Sequence, residues 1–167
     1  MAHLPQLLEA TQVVHLTGQL DWPEVEAAAR SLPPELAPSY HAMPYLHEMG
    51  AALAAADLVI SRAGASTLGE YPQFGLPAIL VPYPYAWRYQ KVNADYLSRQ
   101  NAAVIIENRL LGEQLLPAVL DLLGNEQRLE GMRRAMAALA HPKAANDLAC
   151  LVQELAGITP HPEDAHA

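Results

Sequence analysis

The residues best suited to chemistry lie in one short stretch, SRAGASTLGE, at positions 61–70. An apolar run, DLVIS, ends in it, and a helix-like segment opens near Ser66. Gly64 removes a side chain that would block close approach. Ser66 and Thr67 carry hydroxyls that can cap a helix or donate to an anion. A helix start adds free N–H groups and the positive end of a dipole, a combination that suits phosphate. Glu70 falls one turn further in, where a carboxylate can accept from sugar hydroxyls. These residues point to a nucleotide or sugar-nucleotide site, although the same letters also fit a plain helix cap with no ligand. A P-loop is excluded because no Gly-Lys-Ser/Thr follows. The hydrolase elbow is excluded as well, since Ser66 is followed by Thr67, Leu68 and Gly69, which breaks Gly-x-Ser-x-Gly.

Such residues need a scaffold, and the hydrophobic pattern describes one. QVVHLTG (12–18) reads as a short buried strand closed by Gly18, and WPEVEAAARSL as a helix with Asp21 as N-cap and Pro23 in its first turn. APSYHAM is a weaker strand, and PYLHEMGAALAAA a helix with Leu46, Met49 and Leu53 at spacings of three and four. DLVIS is a clear strand, STLGEYPQFG a helix stopped by Gly75, and AILVPY another strand. RYQKVNADYLSRQ is a helix with Val92, Tyr96 and Leu97 on one side, followed by the strand AAVIIE. GEQLLPAVLDLLG tolerates Pro117 only if its helix starts near Glu113 or Gln114. LEGMRRAMAAL carries a stripe of Leu129, Met132, Met136 and Leu139, and KAANDLACLVQEL one of Leu148, Leu151, Val152 and Leu155. Apolar strands alternating with helices predict an α/β fold with a Rossmann-like parallel sheet and flanking helices.

Length and composition narrow the classes further. A chain of 167 residues fits one domain with a real core, and 51% hydrophobic with 17% charged residues is a globular composition. The net charge of -8, with no dense Lys/Arg cluster, argues against nucleic acid as a partner and against a polybasic membrane patch. Cys150 is the only cysteine, so no internal disulfide forms; its apolar neighbours predict a buried, inert thiol. MAHLPQLLEATQ lacks the features of a secretory signal, and no apolar run of about 18 residues occurs. The histidines show no metal-ligand spacing, and neither a metal nor another cofactor is expected. The domain is expected over residues 1–156, with 157–167 as a flexible tail.

The stretch SRAGASTLGEYPQFGLPAILVPYPYAWRYQKVNADYL resembles the signature of the bacterial peptidoglycan glycosyltransferase family MurG. Three blocks match in order: S-R-[SA]-G-A-x-T-x-x-E, then G-[LK]-P-[AS]-[IL]-L-[VI]-P, then Q-x-x-N-A. The likeness continues through NAAVIIE and HPKAANDLACLV and covers roughly residues 12–156. It implies the C-terminal half of a two-domain GT-B glycosyltransferase, an inverting hexosyltransferase. That family transfers GlcNAc from UDP-GlcNAc to the lipid-linked muramyl-pentapeptide, converting lipid I to lipid II. By the same resemblance Gly64, Ala65, Ser66 and Thr67 face the diphosphate, and Glu70 binds the ribose hydroxyls. Gln90 binds hydroxyls of the sugar ring, and Asn93 either joins it or braces the loop. Tyr45 and Leu46 cover the uracil, with Leu46 backbone groups reading the base edge. His15 with Gly18 matches a strand end that lines the site, or serves as a structural hydrogen-bonded histidine. Arg62 is expected to tie loops together rather than touch the donor, and no residue is assigned as catalytic.

The departures from the family pattern carry expectations of their own. The likeness begins after the family's first strand, with its G-G-S-x-G-A loop, and after its whole N-terminal domain. The chain is therefore expected to be part of a longer or split protein and inactive alone. The missing half would bring the lipid acceptor, the general base and the membrane contact, at the cytoplasmic face of the bacterial cell membrane. PYPYAWRYQ replaces a more polar loop of the family, which puts sugar contacts from that loop in doubt. In the usual strand order the first strand lies between VVHL and LVIS, so these two either pair directly or leave open edges. The competing readings are a non-catalytic UDP-sugar-binding subunit, or an inactive piece that needs a partner half.

Overall fold

The computed structural model describes residues 3–85 and 89–157. Arg88, where the fourth helix was expected to begin, and the tail from residue 158 onward lie outside the described residues. In chain order the elements are α1 (Leu4–Ala10), β1 (Val13–Leu16), α2 (Gly18–Arg30), β2 (Tyr40–Met43) and α3 (Met49–Ala55). Then follow β3 (Val59–Ser61), α4 (Thr67–Phe74), β4 (Ala78–Leu80), α5 (Tyr89–Arg99) and β5 (Ala103–Ile105). Three helices close the described chain: α6 (Leu111–Gly124), α7 (Glu126–Ala137) and α8 (Ala144–Leu155).

All strand pairing is parallel, as the alternating pattern predicts, but the strands form two sheets, β1-β2 and β3-β4-β5. β1 and β3 do not pair with each other, so of the two outcomes expected for them the open edges are realised. β4 shows why the larger sheet is stable. Ala78 and Leu80 enter one cluster with Tyr71, Leu76, Leu97 and Met136. Ile79 points the other way, into a cluster with Ile106, Val119, Leu122 and Met132. Successive strand residues thus bury opposite faces, each covered by helices. A third, smaller cluster of Leu4, Leu8, Val25 and Tyr40 packs on β1 and β2. α1 links the parts: Leu4 and Leu8 join this third cluster, while Leu7 packs against the one around Ile79.

Several local expectations are corrected. α2 begins at Gly18 behind Thr17, so Asp21 lies in the first turn and Pro23 inside the helix. Nothing between Gly18 and Trp22 stops the helix, which runs back and forgoes the one bond that Pro23 cannot donate. α6 likewise begins at Leu111, two residues earlier than expected, with Pro117 well inside. The packing of Leu111, Leu115, Val119 and Leu122 on the sheet outweighs the lost bond. α3 is short, and Leu46 lies in the loop before it rather than on its stripe. On α5 the buried residues are Ala94 and Leu97, while Val92 and Tyr96 are exposed, because the small Ala94 allows close approach to the sheet. On α7 the stripe goes inward as expected, with Met132 and Met136 buried. α8 carries its expected stripe but buries none of it, and Cys150 is exposed rather than buried. An apolar face becomes core only where something packs on it.

Candidate functional site

The site residues gather at the carboxyl end of β3, where open parallel sheets accept ligands. The chain leaves β3 at Ser61, turns through Arg62–Ser66 and enters α4. Gly75 ends that helix as expected, in the left-handed region at φ 57°, with its N–H donating to Pro72 and that of Leu76 to Tyr71. On the far side Tyr71 anchors α4 to the strand: its hydroxyl donates to Ser61 Oγ at 2.8 Å, and burial raises the phenol above its ordinary range.

The turn itself departs from a simple helix start. The Thr67 hydroxyl is buried and donates to the Gly64 carbonyl at 2.6 Å. The N–H groups of Thr67, Leu68 and Gly69 bond back to Gly64, Ala65 and Ser66 in three-residue turns. Thr67 therefore shapes the loop and has no hydroxyl proton left for an anion. Ser66 has helical φ and ψ and makes no side-chain cap, so its hydroxyl is not a cap either. Among the described residues, the N–H groups of Ala65 and Ser66 have no protein acceptor. These two donors lie within the Gly64–Thr67 stretch, at the start of α4.

Gly64 has an ordinary negative φ, and a Cβ there would meet nothing within 4 Å. Nothing inside the protein requires glycine at this position. Glu70 is exposed, and among the described residues its carboxylate makes no hydrogen bond or ion pair, which leaves it available. Asn93, on α5, donates from Nδ2 to the Ala63 carbonyl at 3.0 Å, so of its two expected roles the loop brace is realised. Gln90, one turn earlier on α5, accepts at Oε1 from the Tyr83 N–H at 2.8 Å. Gly64 to Thr67, Glu70, Gln90 and Asn93 are thus held around one strand end by α4 and α5.

Tyr45 and Leu46 lie in the loop after β2, a strand of the other sheet. Tyr45 is exposed, its ring 4.9 Å from that of His47 and edge-on to it, so it is not core packing. His15, on β1, has Nδ1 2.6 Å from the Tyr40 hydroxyl, a structural pairing. Burial lowers the imidazole and raises the phenol, and both shifts favour neutral partners. Tyr83 was missed at the sequence level, because its contribution is a backbone amide that no side-chain letter announces.

The family model of the glycosyltransferase family 28 C-terminal domain matches residues 2–148. The chain belongs to glycosyltransferase family 28. Among curated proteins it is 39% identical over 151 residues to a UDP-N-acetylglucosamine--N-acetylmuramyl-(pentapeptide) pyrophosphoryl-undecaprenol N-acetylglucosamine transferase of Desulforamulus reducens, covering 88% of this chain and 41% of that protein. It is 43% identical over 159 residues to the protein of the same name from an Anaeromyxobacter species, covering 93% of this chain and 40% of that protein. The chain thus spans about two fifths of the length of the curated relatives it matches. Among solved structures, Acinetobacter baumannii MurG superposes with a TM-score of 0.75 at 28% identity, over 90% of this chain and 44% of that one. The glycosyltransferase VinC in complex with dTDP shares the fold, with a TM-score of 0.63 at 17% identity, over 87% of this chain and 35% of that one. This family 28 chain therefore has the expected α/β architecture of the C-terminal half of a GT-B glycosyltransferase.

Proposed function

We propose that this family 28 chain is the donor-binding part of a glycosyltransferase that carries GlcNAc from UDP-GlcNAc to the lipid-linked muramyl-pentapeptide of peptidoglycan synthesis. One observation carries the reading: two unbonded amides, at Ala65 and Ser66, lie one helical turn from an unpaired carboxylate, Glu70. Amides at a helix start suit a diphosphate, and a carboxylate suits the hydroxyls of a ribose. Gln90 completes the set with an amide group for the sugar. The printed names of the relatives supply the donor sugar and the acceptor class.

In this reading the acceptor hydroxyl attacks the anomeric carbon of GlcNAc from the face opposite the diphosphate. The carbon–oxygen bond to UDP breaks, and its electron pair leaves with the diphosphate. The Ala65 and Ser66 amides stabilise the charge that develops there, a fixed electrostatic contribution that costs no reorganisation. The acceptor proton goes to a general base in the remainder of the longer protein, which also holds the lipid acceptor. Among the described residues no helix is long and apolar enough to cross a membrane. The reading assigns contact with the cytoplasmic face of the cell membrane to that remainder. The unpaired edges of β1 and β3 are consistent with a chain that works joined to further polypeptide.

Titration calorimetry of the 167-residue chain with UDP-GlcNAc tests the reading. Saturable heat is expected, weakened about tenfold or more in Glu70→Ala, as for loss of charge-assisted hydrogen bonds. No heat with folded wild-type protein, or unchanged affinity in Glu70→Ala, overturns it.

A further inference from the structure

Arg62 belongs to no ion pair among the described residues, yet it touches three loops. It directly follows β3. Its Nη1 donates to the carbonyl of Val81, just past β4, at 3.1 Å, and to Asn108 Oδ1, just past β5, at 2.7 Å. One guanidinium thereby joins the carboxyl ends of three neighbouring strands. The same group lies over the Tyr83 ring, 5.4 Å from its centroid. Tyr83 in turn meets Tyr85 edge-on at 5.6 Å.

The consequence reaches Gln90. A backbone N–H can only donate, so the Gln90 atom 2.8 Å from the Tyr83 nitrogen must be the amide oxygen. Fixing the oxygen there fixes the NH₂ group as what Gln90 offers elsewhere. The direction of that amide therefore depends on where Tyr83 sits, and Tyr83 is held by Arg62. We propose that Arg62 is a positioning residue for the sugar portion of the donor: it clamps Tyr83, which turns the Gln90 amide so that its NH₂ faces the sugar. This rests on the donor-binding reading above. Lysine does not reproduce the arrangement: an ammonium can donate to both oxygens, but it lacks the planar group that lies over the Tyr83 ring.

The test compares UDP with UDP-GlcNAc by calorimetry on wild type, Arg62→Met and Arg62→Lys, with circular dichroism melts to establish folding. Both variants are expected to lose about fivefold in UDP-GlcNAc affinity, the scale of one or two neutral hydrogen bonds, while UDP affinity moves less than about twofold. Equal losses for both ligands, or full recovery in Arg62→Lys, would mean that Arg62 acts through its charge on the diphosphate, and overturn the proposal. A Tyr83→Ala variant, which removes the ring but keeps the amide, should show the same selective loss; unchanged selectivity there also overturns it. Wild type binding neither ligand is a different result, and removes the donor-binding reading itself.

Discussion

The two sheets are built from similar apolar letters and bury them very differently. In β4 every residue is at 0% exposure: it has a strand on each side and a helix-covered cluster on each face. In β1, which has one strand neighbour, Val14 is 54% exposed, and in β3 Ile60 is 43% exposed. Burial is set by the position of a strand in its sheet, not by its letters. The site occupies the boundary between the two regimes. α4 and α5 fasten it to the well-packed sheet, while β3 beneath it keeps one edge open. The site thus has a rigid support on one side and an unpaired strand edge on the other.

The largest effect should come from attacking the better-packed region. Leu80→Ala removes a fully buried side chain from β4 and should cost about 2–5 kcal/mol in urea unfolding. Val14→Thr on β1 should move stability by less than about 0.5 kcal/mol, since the side chain is already half in water. Comparable losses at the two positions would break the comparison and mean that the β1 edge is covered in solution.

A smaller effect separates two glycines at either end of α4. Gly75 has φ 57°, and a Cβ there would lie 3.3 Å from the Ala137 Cβ, so Gly75→Ala should destabilise by about 1–2 kcal/mol. Gly64 has neither constraint. Gly64→Ala should leave the urea midpoint unchanged or slightly raised, because alanine narrows the unfolded ensemble. It should still weaken UDP-GlcNAc binding, since only a ligand would meet the new methyl group. A Gly64→Ala protein that binds normally would sever the link between this glycine and the diphosphate.

Much of this was legible in the letters, and what was not has identifiable causes. The strand–helix alternation, the Gly75 stop and the α7 stripe follow from local periodicity, and the structure keeps them. The division into two sheets does not, because strand neighbours are a long-range property. Pro23 and Pro117 sit deeper in their helices than a capping argument allows, and at Pro117 packing on the sheet outweighs the lost bond. Cys150 and the α8 stripe were read as core because the pattern names a face without naming what covers it. At the site, the letters name residues that the fold brings to one strand end, but not the hydrogen bonds each makes there. The Thr67 hydroxyl and N–H both turn inward to Gly64, while the N–H groups of Ala65 and Ser66 stay unbonded among the described residues. The roles of Arg62 and Tyr83 depend on backbone carbonyl and amide groups, which sequence patterns do not reveal.

The finest separation of the two sheets is their response to acid. His15 ties β1 to Tyr40 of β2, and burial holds its imidazole below the ordinary 6.5. The folded state then binds fewer protons than the unfolded chain between the lowered value and 6.5. The resulting stability is complete above that window and is lost as pH falls through the folded value. The larger sheet carries no such group: no histidine lies between positions 57 and 107, and its buried phenol, Tyr71, is shifted upward, away from this range. Amide hydrogen exchange followed from about pH 7.5 to 5.5, corrected for the intrinsic rates, should therefore show β1 and β2 losing protection before β3 to β5. In His15→Gln that early loss should shrink, and the two sheets should open more nearly together. Because His15 is only about half-buried, the effect is the smallest of those expected here. Simultaneous opening in the wild type would mean that the sheets unfold as one cooperative unit despite their separate ladders.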